Sequence, residues 1–71
     1  MAFMRGVQVE FMATAESDPS ESLRVEIGSE VEQLEIREST VRFRVMGEFG
    51  IWVAPLAVFE KNTFQIPSRN F

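Results

Sequence analysis

Residues Leu34 to Val45 read LEIRESTVRFRV and predict a β-hairpin. Apolar residues alternate with charged ones along both arms, as expected for strands that bury one face. Pairing Ile36 with Val41 brings Glu35 opposite Arg42, so that opposite charges face each other across the ladder. A shift of one residue would turn the apolar side chains of one strand toward water, and this requirement fixes the register.

The same register predicts what lies at the two ends of the hairpin. Leu34 falls opposite Phe43, on the apolar face of both arms. Four residues, Arg37 to Thr40, connect the arms. Because this connection contains neither Gly nor Asn, it suits a type I turn better than a primed two-residue turn.

Two further strands are predicted upstream of the hairpin. Residues Phe3 to Ala13 form the first, and residues Leu23 to Ile27 form the second, which a two-residue turn at Gly28-Ser29 would pair with the hairpin. This pairing would turn Glu32 toward the core. Either a bulge near Val31 to Gln33 or a place at the open rim would then accommodate that carboxylate.

The segment Thr14 to Ser22, TAESDPSES, predicts an exposed and mobile loop. Three of its carboxylates, Glu16, Asp18 and Glu21, are oxygen ligands of the kind that calcium prefers. Their spacing lacks the ligand ladder and the central glycine of an EF-hand, so the sequence favours a solvated acidic loop and no metal or other cofactor.

Downstream of the hairpin, residues Phe49 to Phe59 read FGIWVAPLAVF, without one polar side chain. As an extended strand, this segment would be apolar on both faces, although one small core can cover only one of them. The uncovered face therefore predicts a contact with another chain or with a covering tail. The interface residues predicted on this basis are Trp52, Ala54, Leu56, Val58, Phe59 and Phe64.

Together these segments predict an all-β protein of five antiparallel strands, closed into a small barrel or roll of the SH3-like or OB-like kind. A two-layer sandwich completed by oligomerisation is the alternative. We expect residues 1–71 to form a single domain with a loop at residues 14–22 and an extended C-terminal tail at residues 62–71. A chain of 71 residues without cysteine or histidine has no disulfide and no common zinc site, and oligomerisation is the support that remains.

The charges divide the chain into an acidic and a mildly basic part. Residues Glu10 to Glu38 carry nine acids and two arginines, a balance of −7, whereas residues Ser39 to Phe71 have a balance of +2. An acidic surface of this kind can bind a basic partner, or can order identical copies head to tail. The acidic residues that would form such a binding surface are Glu16, Asp18, Glu21, Glu30, Glu35 and Glu38.

Catalysis is not expected from this composition. Histidine, cysteine and tyrosine are absent, and no serine has a credible general base nearby in the sequence. Nucleic-acid binding is not expected either, because Arg42 and Arg44 point away from Phe43 and the chain has a net charge of −4. The sequence offers no site for a small-molecule substrate.

No membrane contact and no secretion are predicted. The longest apolar run has eleven residues and contains Pro55, whereas a spanning helix needs about 20. Residues near Met1 form no continuous apolar signal segment, because Gln8 and Glu10 interrupt it. We therefore expect a protein that is cytoplasmic or assembled from the cytoplasm.

Two functions fit these observations. The first is a non-enzymatic structural or assembly subunit, which packs its apolar strand against copies of itself or a larger protein scaffold, as virion components do. The alternative is an acidic, phage-type inhibitory or regulatory module that occupies a basic surface of a target protein. Both functions imply a protein partner, and the first implies a homo-oligomer or a larger assembly.

Overall fold

The protein is described here by a computed structural model that covers residues Phe3 to Ile66, in which seven strands and one helix follow one another. The elements are β1 (Phe3–Val7), β2 (Phe11–Ala15), β3 (Ser22–Val25), β4 (Glu30–Arg37), β5 (Thr40–Val45), β6 (Trp52–Pro55), α1 (Leu56–Asn62) and β7 (Thr63–Gln65). All strands join one antiparallel sheet in the order β3-β2-β6-β5-β4-β1-β7, which curls into a half-barrel. The prediction of a small all-β, barrel-like fold is confirmed, but the prediction of five strands is too low.

The central hairpin, β4 and β5, has the predicted register at its outer end. Ile36 lies opposite Val41, and Glu35 lies opposite Arg42. Toward the other end, Gln33 takes the place opposite Phe43 that was predicted for Leu34. A bulge between Gln33 and Glu35 causes this difference, because an inserted residue shifts the pairing of everything beyond it.

The bulge also explains how β4 keeps its acidic residues out of the core. Glu32 lies opposite Arg44, and it shares its face of the sheet with Glu35 and Arg42. Without the inserted residue, strict alternation would place Glu32 and Ile36 on the same face of β4. The bulge therefore reconciles an apolar inner face with the charged outer face of the same strand.

The turn between β4 and β5 is tighter than predicted. Arg37 and Thr40 still pair, so the connection is only Glu38-Ser39. Glu38 has a φ of 55°, in the left-handed region that a type I turn does not use. The Thr40 hydroxyl donates a hydrogen bond of 3.0 Å to the carbonyl of Arg37, which helps to hold this conformation.

The predicted first strand, Phe3 to Ala13, is broken into β1 and β2. The break occurs at Gln8 and Val9, whose N–H groups both donate to the carbonyl of Asn62 at the end of α1 (2.9 and 3.2 Å). β1 then pairs with β4 and β7, whereas β2 pairs with β3 and β6. Alternation continues across the break in the sequence, so it gives no sign that the chain changes its partner strands.

The predicted pairing of the second strand with the hairpin is wrong. β3 pairs with β2, so that Leu23 lies opposite Ala13. The Gly28-Ser29 turn makes its hydrogen bonds with β1, where Gly28 donates to the Val7 carbonyl and Ser29 accepts from the Val7 N–H. The turn signal was real, but the strand that it contacts is distant in sequence.

The predicted loop 14–22 is shorter in the structure. Thr14 pairs with Ser22, which leaves a turn from Glu16 to Glu21 whose residues are all exposed. Asp18 organises this turn, because its carboxylate accepts hydrogen bonds from the N–H (3.1 Å) and the hydroxyl (2.7 Å) of Ser20. Replaceability of the loop stays a prediction.

The apolar stretch that follows β6 is helical, where an extended strand was predicted. Pro55 precedes α1, a position at which its missing N–H costs nothing. The helix places Phe59 inside the half-barrel, where its side chain is 0% exposed. The centre of its ring lies 5.0 Å from the ring centre of Phe43 and 6.1 Å from that of Phe11. Thus the helical part of the apolar stretch, α1, covers its strand part, β6.

The core lies on the concave face of the sheet, beneath α1. Its largest members are the three phenylalanines at positions 11, 43 and 59, together with Trp52. The remaining buried apolar residues are Val7, Ala13, Ala15, Val25, Val31, Val41, Val45 and Ala54. Of the predicted extended tail, 62–71, Asn62 ends α1, residues 63–65 form β7, and residues 67–71 lie outside the part that is described.

Candidate interaction site

Within residues 3–66, the strand β7 is an open edge of the sheet. It pairs with β1 on one side and ends the strand order on the other. The N–H of Ile66 donates to the carbonyl of Met4 (3.2 Å), and hydrogen-bonded pairs alternate along an antiparallel ladder. The peptide groups of Phe64 therefore point toward β1, and those of Gln65 point toward the open side. An edge of this kind can accept another strand.

An aromatic ring lies on the outer face beside this edge. Phe64 is 48% exposed and lies opposite Gly6 of β1. A Cβ atom placed on Gly6 would be only 2.6 Å from the tip of the Phe64 ring, which shows that the ring lies directly over the glycine backbone. Gly6 thus permits a close approach that no other residue allows without moving the ring.

On the inner side of the same edge lies a small pocket. Its volume is about 160 Å³, and it is lined by Phe3, Arg5, Gln33 and Gln65. Phe3 is 48% exposed, so the pocket has an accessible aromatic wall. Two amide side chains and a guanidinium provide its polar groups, which suit an anionic or carbonyl-bearing group of a partner.

Arg5 is held firmly at this pocket. Its Nε donates to the hydroxyl of Thr63 (2.7 Å), and its guanidinium lies 5.4 Å from the centre of the Phe59 ring. A weaker contact of 3.4 Å joins it to the Thr63 carbonyl. Within residues 3–66, Arg5 forms no ion pair, so it retains donors for a carboxylate from elsewhere.

The structure separates the predicted interface residues into three groups. Trp52, Ala54 and Phe59 lie in the protein's own core, at 6%, 4% and 0% exposure, so they have no surface to offer another chain in this conformation. Leu56 and Val58 are half-buried and pack against that core. Phe64 is exposed at the edge strand. The sequence pattern was misleading because it could not show that α1 covers β6.

Four residues of the edge were not predicted from the sequence as interaction residues: Phe3, Arg5, Gly6 and Gln65. Gly6 gave a usable signal, because a glycine inside a strand pattern marks a close backbone approach. The other three gave none. Their significance depends on the pairing of β1 with β7, between residues about as far apart as this chain allows.

The structure also divides the predicted acidic surface, into carboxylates that bond other side chains and carboxylates that form no ion pair within residues 3–66. Arg42 lies between Glu16 and Glu35, and it donates to Glu16 and to Glu35 (2.7 Å). Arg37 also contacts Glu35 at 3.1 Å. Asp18 bonds Ser20, whereas Glu21, Glu30 and Glu38 are exposed and form no ion pair within residues 3–66.

The ion pairs around Arg42 lower the pKa of both carboxyl groups. The pKa of Glu16 is lowered chiefly by its hydrogen bonds from Arg42, and the pKa of Glu35 is lowered by hydrogen bonds from Arg42 and then from Arg37. The pKa of the Asp18 carboxyl is lowered by its hydrogen bonds from Ser20. The carboxylates of Glu16 and Glu35 in turn raise the pKa of Arg42. This cluster joins β4 and β5 to the turn that follows β2, on the outer face of the sheet.

We expect the Arg42 cluster to make the protein sensitive to acid. Both glutamates have a folded-state pKa below the ordinary value of 4.5, so their contribution is present above pH 4.5 and is lost as the pH falls through the lower folded-state pKa. Arg42→Met should therefore reduce stability at pH 7 and have a smaller effect at pH 3. Urea unfolding of both proteins at the two pH values measures this, and an effect that is equal at both would contradict it. Arg44→Met is the matched control.

Within residues 3–66 no group of three acidic, histidine or cysteine side chains is arranged to hold a metal ion, and no helix there is long and apolar enough to cross a membrane. No protein family, curated protein or solved structure matches this chain.

Proposed function

We propose that this protein is a non-enzymatic structural or assembly subunit that packs through the open edge at β7 against copies of itself or a larger protein scaffold, as virion components do. The observation that carries the proposal is the half-exposed ring of Phe64 beside the peptide groups of Gln65, which face no partner strand within residues 3–66. An exposed aromatic is a typical interface anchor, and an unpaired edge supplies hydrogen bonds.

The exposed residues of the inner side support the same surface. Phe3 lines the pocket together with Arg5 and Gln33, so the inner face of the edge has an aromatic ring and polar groups, and the outer face has the ring of Phe64. Interfaces combine an apolar centre with polar groups at the rim in this way. A partner strand laid along β7 would contact both sets.

We further propose that the half-barrel is of the SH3-like class. Its strands β4, β5 and β6 form a three-stranded meander, and the first and last strands, β1 and β7, pair next to it. The short helix before the last strand supports the same assignment. An OB-like barrel is built on a Greek-key connection, which fits this meander less well. Small barrels of either kind serve many functions, so the fold itself names no activity.

The second candidate function is the acidic regulatory module that occupies a basic surface. It is favoured by the exposed carboxylates Glu21, Glu30 and Glu38, which have no internal ion pair within residues 3–66. Glu16 and Glu35 are less available, because Arg42 already neutralises them. Complexes formed by the acids should weaken steeply between 50 mM and 500 mM salt, whereas a complex formed by apolar packing should not.

The test of the assembly function is the mass of the protein in solution with Phe64 altered. We expect the wild-type protein to form a dimer or a larger species at micromolar concentration, and Phe64→Asp to shift it to monomer. Light scattering after gel filtration measures both. The matched control is Phe49→Asp, because Phe49 is 98% exposed on the β5–β6 loop and carries the same change away from β7. A wild-type monomer at high micromolar concentration would rule out self-assembly.

A further inference from the structure

The sheet has two open edges within residues 3–66, and they differ in the charged residues that have no ion pair there, since Arg24 of β3 pairs with Glu10. At the β7 edge, Arg5 retains unused donors in its pocket. At the other edge, β3 is flanked by Glu21 at its start and Glu26 at its end, both of which are exposed and form no ion pair within residues 3–66. A positive group on one edge and carboxylates on the other are complementary between two copies of the chain.

The unpaired peptide groups on β3 can be identified from its ladder with β2. The N–H of Ala15 donates to the carbonyl of Glu21, so the hydrogen-bonded pairs of this ladder involve Glu21, Leu23 and Val25. The peptide groups of Ser22 and Arg24 therefore point toward the open side of β3. On β7, the corresponding groups are those of Gln65.

The faces of the two strands decide how they can join. Gln65 lies opposite Arg5 and shares its inner face, and Leu23 lies on the inner face opposite Ala13. In an antiparallel arrangement, Gln65 would exchange hydrogen bonds with Ser22 or Arg24, whose side chains are on the outer face, so the two sheets would be inverted relative to each other.

A parallel arrangement avoids this inversion. In a parallel pair, each bonded residue makes its hydrogen bonds with the residues just before and just after the one opposite it. The N–H of Gln65 would therefore donate to the carbonyl of Ser22, and the carbonyl of Gln65 would accept from the N–H of Arg24. Gln65 is then opposite Leu23, with both side chains on the inner face. The same register places Thr63 opposite Glu21.

We infer that β7 of one copy binds β3 of a second copy in this parallel register, and that Glu21 of the second copy forms an ion pair with Arg5. Arg5 donates its Nε to Thr63, so its guanidinium lies beside the position that Glu21 takes. Phe64 lies opposite Ser22 on the outer face, at the contact between the two copies. This inference rests on the proposed assembly function and names its partner edge.

Contacts of this kind are head to tail. Each copy uses β7 toward one neighbour and β3 toward the other, so the assembly closes into a ring or extends as a filament. A two-fold dimer through β7 and β7 would instead bring the two Arg5 pockets toward each other and leave Glu21 without a role. The two arrangements respond differently to a change at Glu21.

The experiment is a charge exchange between Arg5 and Glu21. We expect Arg5→Glu and Glu21→Arg each to weaken self-association at least about tenfold, because each places like charges in the interface. An equimolar mixture of the two variants should associate as the wild-type protein does, since every interface in an alternating assembly is then an opposite pair. Sedimentation equilibrium of each variant and of the mixture measures this.

Glu21→Arg decides the outcome, because Glu21 is exposed in a turn and its replacement does not touch the core. The control is Glu38→Arg, which makes the same charge change at the β4–β5 turn and should leave association unchanged. Association that survives Glu21→Arg but is lost in Phe64→Asp would overturn the β3 assignment and leave the assembly function standing. A wild-type protein that is monomeric at high micromolar concentration would overturn both the β3 assignment and self-assembly through β7.

Discussion

Phe43→Ala is expected to unfold this domain or to leave it barely folded. Phe43 is 0% exposed and its ring contacts those of Phe11 and Phe59 at 6.0 and 5.0 Å. Truncation of a buried phenylalanine costs about 3 to 5 kcal/mol through lost burial and the cavity left behind. A domain of this size has a free energy of unfolding of about 4 to 10 kcal/mol. The loss is therefore a large fraction of the total.

The measurement is urea unfolding followed by tryptophan fluorescence, since Trp52 lies in the same core. Phe49→Ala is the matched control, because it removes the same atoms from a side chain that is 98% exposed. We expect it to change the free energy of unfolding by less than about 0.5 kcal/mol. Equal effects of the two substitutions would mean that the ring of Phe43 does not occupy the core.

The second large effect is expected at Thr63, the buried polar residue that joins α1, β7 and β1. Its hydroxyl donates to the carbonyl of Phe59 (2.6 Å) and accepts from Nε of Arg5 (2.7 Å). Thr63→Val keeps the shape and removes both hydrogen bonds, which leaves a buried carbonyl and a guanidinium N–H without their partner. We expect a loss of about 1 to 3 kcal/mol in the free energy of unfolding.

Thr40→Val provides the comparison for Thr63→Val. The hydroxyl of Thr40 also donates to a backbone carbonyl, that of Arg37, but it is exposed at the β4–β5 turn and water can replace it. Its replacement should cost less than Thr63→Val, measured in the same urea titration. If Thr63→Val were neutral, the positioning of Arg5 would have to depend on its contact with the Phe59 ring alone.

The sequence was most informative where partner strands are neighbours in the chain. Alternation and opposite charges placed Ile36 against Val41 and Glu35 against Arg42 correctly. The alternating pattern did not predict the bulge at Leu34, because a single inserted residue changes the face of the residues beyond it and has no sequence pattern of its own. The charge pattern therefore predicted the register at the turn end of the hairpin correctly, but not the register beyond the bulge.

The parts that sequence reasoning missed all depend on distant contacts. The helix α1 has only seven residues, too few for a helical period to be recognised in the sequence. Its formation depends on the packing of Phe59 against Phe11 and Phe43, which are distant in the sequence. The open edge was hidden for a related reason. An exposed Phe64 and a buried Trp52 look alike in a sequence, because exposure depends on which element covers each face.

The place of β1 between β4 and β7 has a consequence for the order of events during synthesis. β1 is made before its two neighbours, β4 and β7, and its residue Arg5 pairs with Gln65 near the other end of the described chain. The meander of β4, β5 and β6 can form first, because its contacts are local and close only short loops. The edge that we propose for association does not exist until β7 has left the ribosome and found β1. In the proposed assembly, nascent chains therefore lack the β7 edge, and we expect association only through copies in which β7 has already paired with β1.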